Sequence, residues 1–263
     1  MNTTSLLNRL TSGVIRWTLI LGAVITAAAS TRAYADDAKP TIVLVHGAFA
    51  DGSGWSKVIL RLEKAGYTAI AVQNQMSTLP EDIATTKRVI DAVKGPVVLV
   101  GHSYGGAVIT GAGVGSPNVK SLVYIAAFAP DGGEKVAELA GKFGPSSLNT
   151  ALVPDSAGFL YIDRAKFQQV FAADVSDDEA IVMAAAQRPL AGVAFGGSVE
   201  TPAWKTLPSW YLVSTEDHAI LPELERFMAK RIGAKSIVEV KASHAVFVSH
   251  PDEVVALIEA AAN

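Results

Sequence analysis

The 263-residue chain has no cysteine, and only 18% of its residues are charged and 7% aromatic. Without cysteine it can form no disulfide, no thiolate nucleophile and no thiolate metal site. Its His, Asp and Glu residues also lack metal-ligand spacing. The glycine-rich segment 111–116 closes a predicted helix, whereas a dinucleotide-binding loop opens a helix after a strand. The sequence therefore predicts neither a metal nor a cofactor.

Positive charge is also scarce, because 22 basic residues are outnumbered by 25 acidic ones. Three of the basic residues, Arg9, Arg16 and Arg32, lie in the first 35 residues, which contain no acid. The rest of the chain therefore has 19 basic and 25 acidic side chains, a net charge of −6. A domain of this charge is not expected to bind nucleic acid.

Residues 1–35 have the pattern of a bacterial signal peptide. Basic residues precede an apolar run over 17–29, and Ala33-Tyr34-Ala35 forms a small-x-small cleavage site. The run is shorter than the roughly 20 residues that span a membrane, so we expect cleavage after Ala35; an uncleaved anchor is the alternative. The sequence thus predicts a periplasmic or secreted protein, with no stable membrane insertion once the leader is removed. Nothing in it indicates the oligomeric state.

Residues 36–263 are long enough for one domain with a full core. Predicted strands cover 41–46, 67–72, 97–101, 121–128, 210–214 and 236–240, and predicted helices cover 55–65, 80–93, 103–115, 222–232 and 252–262. Several strands are near-continuous Val, Leu and Ile runs, as in parallel strands that are covered on both faces. This alternation predicts an α/β fold with a doubly wound, mostly parallel sheet.

Residues 131–207 interrupt the alternation, with no clear strand, several prolines and glycines, and seven aromatic residues. An insertion at the carboxyl end of a strand lies over that edge of the sheet, so we expect a small helical cap that lines a substrate pocket. Trp204 of the cap, with Phe49 and Phe128, is a candidate substrate-binding residue. The alternative is that the cap aromatics form only a core of their own.

The most informative motif is Gly101-His102-Ser103-Tyr104-Gly105, which is followed by Gly106. It separates a predicted strand from a predicted helix, so the Ser103 hydroxyl should project from a tight turn above the sheet edge. Glycines flank the serine because larger side chains would collide with the neighbouring strand and helix. The motif resembles the nucleophile elbow of α/β-hydrolases and makes Ser103 the candidate nucleophile.

A serine hydroxyl needs a base within hydrogen-bond distance, and the base needs a carboxylate that orients it. In this type of fold the acid and then the histidine follow the serine along the chain. His244 fits this order because it follows the last predicted strand, whereas His250 is better placed to cap the final helix. Asp217, rather than Glu216, is the expected acid. Asp217 could instead cap the helix that begins near Pro222.

Acyl transfer also requires N–H donors for the oxyanion of the tetrahedral intermediate. The residue after the nucleophile supplies one donor, the backbone N–H of Tyr104. The loop after the first strand should supply the second, and we expect this to be the Ala48 amide. His46, in the same loop, is expected to form structural hydrogen bonds and not to carry protons.

Together these motifs resemble the α/β-hydrolase superfamily, and within it the branch of plant methylesterases, hydroxynitrile lyases and bacterial small-ester hydrolases. The resemblance extends over about residues 40–262. It includes Val43-Leu44-Val45-His46-Gly47-Ala48-Phe49, Phe128-Ala129-Pro130 and Ser243-His244. It implies a triad of Ser103, Asp217 and His244, with the Ala48 and Tyr104 amides as the oxyanion hole.

Two positions depart from the lyases of that branch. The lyases carry a lysine directly after the catalytic histidine and a threonine in the oxyanion loop, where this chain has Ala245 and Gly47. Hydrolysis is therefore expected, not cyanohydrin cleavage. The sequence predicts an exported hydrolase of small carboxylic esters that forms an acyl-enzyme on Ser103. The alternatives are acyl transfer, cofactor-free perhydrolysis, or a ligand-binding or sensor protein on a hydrolase scaffold.

Overall fold

A computed structural model describes residues 39–263, so the predicted leader lies outside the described residues. Its strands are β1 (Thr41–Val45), β2 (Ala69–Val72), β3 (Val97–Ser103), β4 (Val119–Ala127), β5 (Leu152–Pro154), β6 (Phe159–Ile162), β7 (Leu190–Ala191), β8 (Ser209–Ser214) and β9 (Ile237–Val240). Its α-helices are α1 (Ser56–Lys64), α2 (Leu79–Ala92), α3 (Tyr104–Ala112), α4 (Val136–Ala140), α5 (Phe167–Phe171), α6 (Asp177–Ala186), α7 (Gly192–Phe195), α8 (Pro222–Arg231), α9 (Val246–Ser249) and α10 (Pro251–Ala262). Short 3₁₀ helices cover Gly52–Trp55, Ser147–Thr150 and Ala203–Lys205.

Six strands form one parallel sheet in the order β2-β1-β3-β4-β8-β9. The central strand β3 is buried along its whole length, as its Val-Val-Leu-Val run predicts. Helices α1 and α10 pack together, and α2 and α3 form a second pair, so the middle of the sheet is covered on both faces. The prediction of a doubly wound, mostly parallel α/β fold is confirmed. All six predicted strands are present, and their ends differ by at most two residues.

Residues 131–207 contain helices α4 to α7, as expected for a cap, but also a small antiparallel sheet of β5, β6 and β7. These strands were not predicted from the sequence, because they are only two to four residues long and show no alternation of polar and apolar residues. Phe167 and Phe171 are both buried, and their rings stack at a centroid distance of 5.1 Å. These two cap aromatics pack against each other but belong to the main hydrophobic core, and Phe171 also contacts the rings of His102 and His244.

None of the helices described between residues 39 and 263 is long and apolar enough to cross a membrane.

The glycines at the junction of β3 and α3 permit close approach of backbone segments. A Cβ atom placed on Gly101 would lie 2.5 Å from the carbonyl oxygen of Gly105, and one on Gly106 would overlap the backbone of Phe128. Real Cβ atoms do not approach backbone atoms so closely. The steric reason predicted for these glycines is therefore confirmed.

We predict that Gly101→Ala destabilises the fold by about 1–3 kcal/mol, because the added methyl group overpacks a junction made of backbone. The matched control is Gly95→Ala, where the new methyl group meets no atom within 4 Å. This control should change the free energy of unfolding by less than about 0.5 kcal/mol. Urea denaturation of both variants checks the prediction, and equal losses of stability would contradict it.

Candidate active site

Ser103 is the last residue of β3 and has backbone angles of φ 53° and ψ −124°. A positive φ is uncommon for a residue other than glycine, and such strain of about 1–3 kcal/mol is concentrated at functional sites. The neighbouring strand is irregular at the same level, because Ser103 pairs with Ala127 and leaves Ala126 unpaired at φ 42°. The N–H of Phe128 donates to the Ser103 carbonyl oxygen at 3.0 Å. These contacts hold the predicted elbow in place.

His244 and Asp217 are joined by a buried hydrogen bond. Nδ1 of His244 lies 2.5 Å from Oδ2 of Asp217, and both side chains are almost completely buried. The other carboxylate oxygen, Oδ1, accepts from the N–H groups of Ala219 at 2.6 Å and Ile220 at 2.8 Å. Three N–H groups therefore fix the orientation of the Asp217 carboxylate.

The two capping roles considered for this region are not observed. Helix α8 has Leu221 at its N-cap position, so Asp217 does not cap it. His250 does occupy the N-cap position of α10, but its side chain makes no capping hydrogen bond. Its Nδ1 lies 2.9 Å from Oγ of Ser249 instead. His250 is therefore the N-cap residue of the last helix, as expected, but its side chain does not cap it.

His102 links the elbow to the loop that carries His244. Its Nε2 donates to the backbone carbonyl oxygen of His244 at 2.9 Å, and the two rings lie 4.6 Å apart between centroids. The other side of the His244 ring meets the edge of Phe171, at 4.9 Å and 80°. Complete burial keeps the pKa of His102 well below its usual value, so the ring is a neutral donor. Since His102 precedes Ser103, this bond brings the candidate base to the elbow.

No direct hydrogen bond joins Ser103 to His244 within the described part of the chain. In unliganded enzymes such bonds are often long and shorten when substrate binds.

The loop after β1 lies against Ser103. A Cβ atom on Gly47 would come within 2.6 Å of the Ser103 Cβ, so only glycine fits there. The Tyr104 N–H begins α3 and has no acceptor within the helix. The Ala48 N–H likewise has no protein acceptor among residues 39–263. Both predicted oxyanion donors are therefore free to bind an external oxygen.

His46 forms structural hydrogen bonds, as expected. Its Nδ1 lies 2.9 Å from the Gly47 carbonyl oxygen, and its Nε2 accepts from the Asn74 N–H at 3.2 Å. These partners place the proton of the neutral ring on Nδ1. Burial lowers the pKa of His46, so the neutral form is favoured.

Asp82 supports the elbow from below and was not predicted from the sequence. It is fully buried, and its Oδ2 accepts from the Tyr104 hydroxyl at 3.0 Å. Its Oδ1 accepts from the Met76 N–H, also at 3.0 Å. Burial raises the pKa of the Asp82 carboxyl, and both hydrogen bonds oppose that increase. In the sequence, Asp82 resembles an ordinary acidic residue in the first turn of a helix.

The three candidate substrate-binding residues lie in different surroundings. Phe128 lines an apolar cavity of about 230 Å³ between the cap and the sheet edge. Its other lining residues are Ala137, Ala140, Ser146, Leu148, Asn149, Leu152, Leu160, Phe195 and Ala219. Phe49 lines a smaller cavity of about 50 Å³ beside Met183 and Phe247.

Trp204 lines neither of these cavities. Its indole N–H donates to the Pro130 carbonyl oxygen at 2.9 Å. The neighbouring Ala203 packs against Gly113, which follows the last residue of α3, whereas Ser103 precedes the first residue of that helix. Trp204 therefore lies at the far end of α3, outside both cavities, and its contact with substrate stays a prediction.

Comparison with known proteins places these features in a wider group. The sequence profile described as the alpha/beta hydrolase family matches residues 42–257. The alpha/beta hydrolase nvfD of Aspergillus novofumigatus is 28% identical over 248 residues, which are 85% of this chain and 97% of that protein. Putative methylesterase 19 of Arabidopsis thaliana is 27% identical over 253 residues, 84% of this chain and 96% of the relative.

Among solved structures, a pyrethroid hydrolase from Sphingobium faniae has the same fold. It superposes with a TM-score of 0.72 at 22% sequence identity, covering 85% of this chain and 97% of that protein.

We predict that Tyr104→Phe destabilises the protein by about 1–3 kcal/mol at pH 7, because the buried Asp82 carboxylate loses a donor. The raised pKa of Asp82 means that the folded state keeps a proton that the unfolded state releases, so stability falls as pH rises from about 4. The Tyr104 hydroxyl opposes the increase in the pKa of Asp82, so its removal makes stability fall more steeply with pH. Tyr104→Phe should therefore lose less stability at pH 4 than at pH 7. Urea denaturation at both values measures it, with Tyr161→Phe as control. A loss that is independent of pH would contradict the prediction.

Proposed function

Since the chain belongs to the alpha/beta hydrolase family, we propose that it is an exported serine hydrolase that cleaves small carboxylic esters. The observation that carries the proposal is the buried hydrogen bond between His244 Nδ1 and Asp217 Oδ2, next to the strained elbow of Ser103. Export is supported by the leader pattern of residues 1–35. The names of the relatives, a hydrolase and a putative methylesterase, agree with this reaction class.

In the proposed reaction Ser103 Oγ attacks the carbonyl carbon of the ester while His244 Nε2 takes the hydroxyl proton. Asp217 holds Nδ1 and stabilises the imidazolium that forms. The N–H groups of Ala48 and Tyr104 bind the oxyanion of the tetrahedral intermediate. His244 then protonates the leaving alcohol, which yields an acyl-enzyme on Ser103. Water, activated by the same histidine, releases the acid and regenerates the serine.

The surroundings of the site favour an uncharged, apolar substrate. The cavity beside Phe128 is lined by apolar side chains, with Ser146 and Asn149 as its polar members and no charged residue. Its volume of about 230 Å³ is suited to a small group. Ala245, directly after the candidate base, is buried and offers no cation that could bind a leaving anion. Hydrolysis of neutral esters fits this site better than lyase chemistry.

We predict that an organofluorophosphonate labels Ser103 covalently, and that Ser103→Ala lowers kcat for a short-chain ester by at least about 10⁴-fold. The reason is that Ser103 is the one serine of the elbow, and the Tyr104 hydroxyl is held by the buried Asp82 carboxyl group. Ser116→Ala is the matched control, because Ser116 is as exposed as Ser103, at 7%, but follows the opposite end of α3. The control should keep both labelling and turnover.

Peptide mapping by mass spectrometry and ester kinetics measure these outcomes. Unchanged turnover in Ser103→Ala would refute the proposed mechanism. Tight binding of an ester without product release would instead favour a binding or sensor protein. Partition of the acyl group to added alcohol or peroxide would favour a transferase or a perhydrolase.

We predict that Ala140→Phe, which fills the cavity beside Phe128, lowers kcat/KM for hexanoate esters by about tenfold or more and leaves acetate esters nearly unchanged. Longer acyl or alcohol groups need the volume that the new ring occupies. Ala185→Phe on the exposed side of α6 is the control and should alter neither substrate. Equal effects on short and long esters would show that this cavity does not bind substrate.

A further inference from the structure

Glu225 is an acid that the proposed reaction does not use, although it lies next to the candidate triad. It is fully buried in α8, the helix that follows the Asp217 turn. Its Oε2 accepts from the N–H of Ser214, the last residue of β8, at 3.0 Å. Most acids avoid such burial unless they are paired with a cation or carry a proton. No cation pairs with Glu225 among the described residues.

The neighbour of Glu225 is a second carboxyl group. Glu225 and Asp217 are both bound to Ser214: the Ser214 N–H donates to Oε2 of Glu225 at 3.0 Å, and the Asp217 N–H donates to the Ser214 carbonyl oxygen at 3.3 Å. However, Oε1 of Glu225 receives no hydrogen bond from any N–H or O–H group in the described part of the chain. Two ionised carboxylates in this position would repel each other, and neither could donate. One shared proton removes both problems.

The hydrogen bonds of the two groups indicate which one carries the proton. Asp217 accepts from three N–H groups, from His244, Ala219 and Ile220, which favours its charged form. Among residues 39–263, Glu225 accepts from one group, the Ser214 N–H. Burial first, and then the charge of Asp217, raises the pKa of Glu225 well above its usual value.

The other titratable groups near Glu225 do not reverse this assignment. The Arg226 guanidinium favours the charged form of Glu225 but binds the Glu239 carboxylate at 2.7 and 2.9 Å. The buried Tyr211 hydroxyl donates to the Ala127 carbonyl oxygen, so it offers no proton to Glu225. Asp217 is thus the charged group that dominates the surroundings of Glu225.

We propose that Glu225 is a positioning residue that is protonated in the folded protein and donates a hydrogen bond from its carboxyl group to the Asp217 carboxylate. The assignment of a role in catalysis rests on the proposed function. Glu225 touches no substrate and acts through Asp217, which in turn orients His244. A neutral donor here disperses part of the Asp217 charge and stops the carboxylate from turning away from the imidazole.

The first experiment tests the proton and needs no activity. Glu225→Gln keeps a donor for Asp217 and an acceptor for the Ser214 N–H, but cannot ionise. Between about pH 5 and the folded pKa of Glu225, the native wild type retains a proton that its unfolded chain has lost, so its stability falls as pH rises. The urea midpoint of Glu225→Gln should therefore exceed that of the wild type by a margin that widens from pH 5 to pH 8.

Glu223→Gln is the matched control, because Glu223 lies in the same helix but is exposed. Its midpoint should follow that of the wild type at every pH. A constant or shrinking margin between Glu225→Gln and the wild type would overturn the proposal, since it would mean that Glu225 is ionised in the folded protein.

The second experiment separates a positioning role from a purely structural one. Glu225→Leu removes the donor and should lower kcat for the ester by about 10- to 100-fold with KM within about twofold. Without the donor the Asp217 carboxylate is free to turn, which lowers kcat, and its charge is no longer dispersed, so the acidic limb of the kcat/KM profile should move to higher pH. Glu225→Gln should keep kcat within about threefold of the wild-type value and should not move the acidic limb of the kcat/KM profile. Equal impairment of both variants, or an unmoved limb in Glu225→Leu, would overturn the role.

The two experiments also distinguish this proposal from the proposed function. If the wild type hydrolyses no ester, the proposed function fails, while the widening margin of Glu225→Gln still establishes the proton on Glu225. If Glu225→Leu does not fold, the comparison of Glu225→Gln with the wild type decides the question alone.

Discussion

The site depends on one buried hydrogen bond, between His244 and Asp217. A bond of this kind needs a carboxylate that is desolvated but still charged, which is unfavourable unless donors surround it. Here the turn after β8 supplies two backbone N–H groups, and the imidazole supplies a third. The parallel sheet makes this possible, because β3, β8 and β9 all end at the same edge and bring distant parts of the chain together.

The backbone of the neighbouring elbow is strained, and the packing around it keeps it in that conformation. Ser103 and Ala126 both have positive φ angles, on adjacent strands and at the same level of the sheet. The loop at Gly47 and the glycines of α3 enclose them without room for a further methyl group. Close packing therefore holds the backbone in a conformation that isolated residues avoid. The buried Tyr104–Asp82 hydrogen bond anchors the first turn of α3 below this point.

The elements that could be predicted from the sequence are those whose signals are local. The Val-Val-Leu-Val run predicts β3, and the glycines after it predict the elbow. Both signals depend on steric limits between residues that are close in the sequence. Strands β5 to β7 were missed because they are too short to show a period. The burial of Asp82 and Glu225 was missed because an acid in a helical first turn looks the same whether tertiary packing covers it or not. Composition likewise does not reveal which end of α3 the segment of Trp204 contacts.

The hydrogen bond from His102 to the main chain of His244 has a wider consequence. It ties the loop after β9 to β3, one of the two middle strands of the sheet, across two intervening strands. Local unfolding of that loop would break its hydrogen bond to a buried core strand, and core strands are the last elements to unfold. The candidate base and the candidate nucleophile thus belong to a single cooperative unit, and heating should abolish their alignment only when the whole sheet melts.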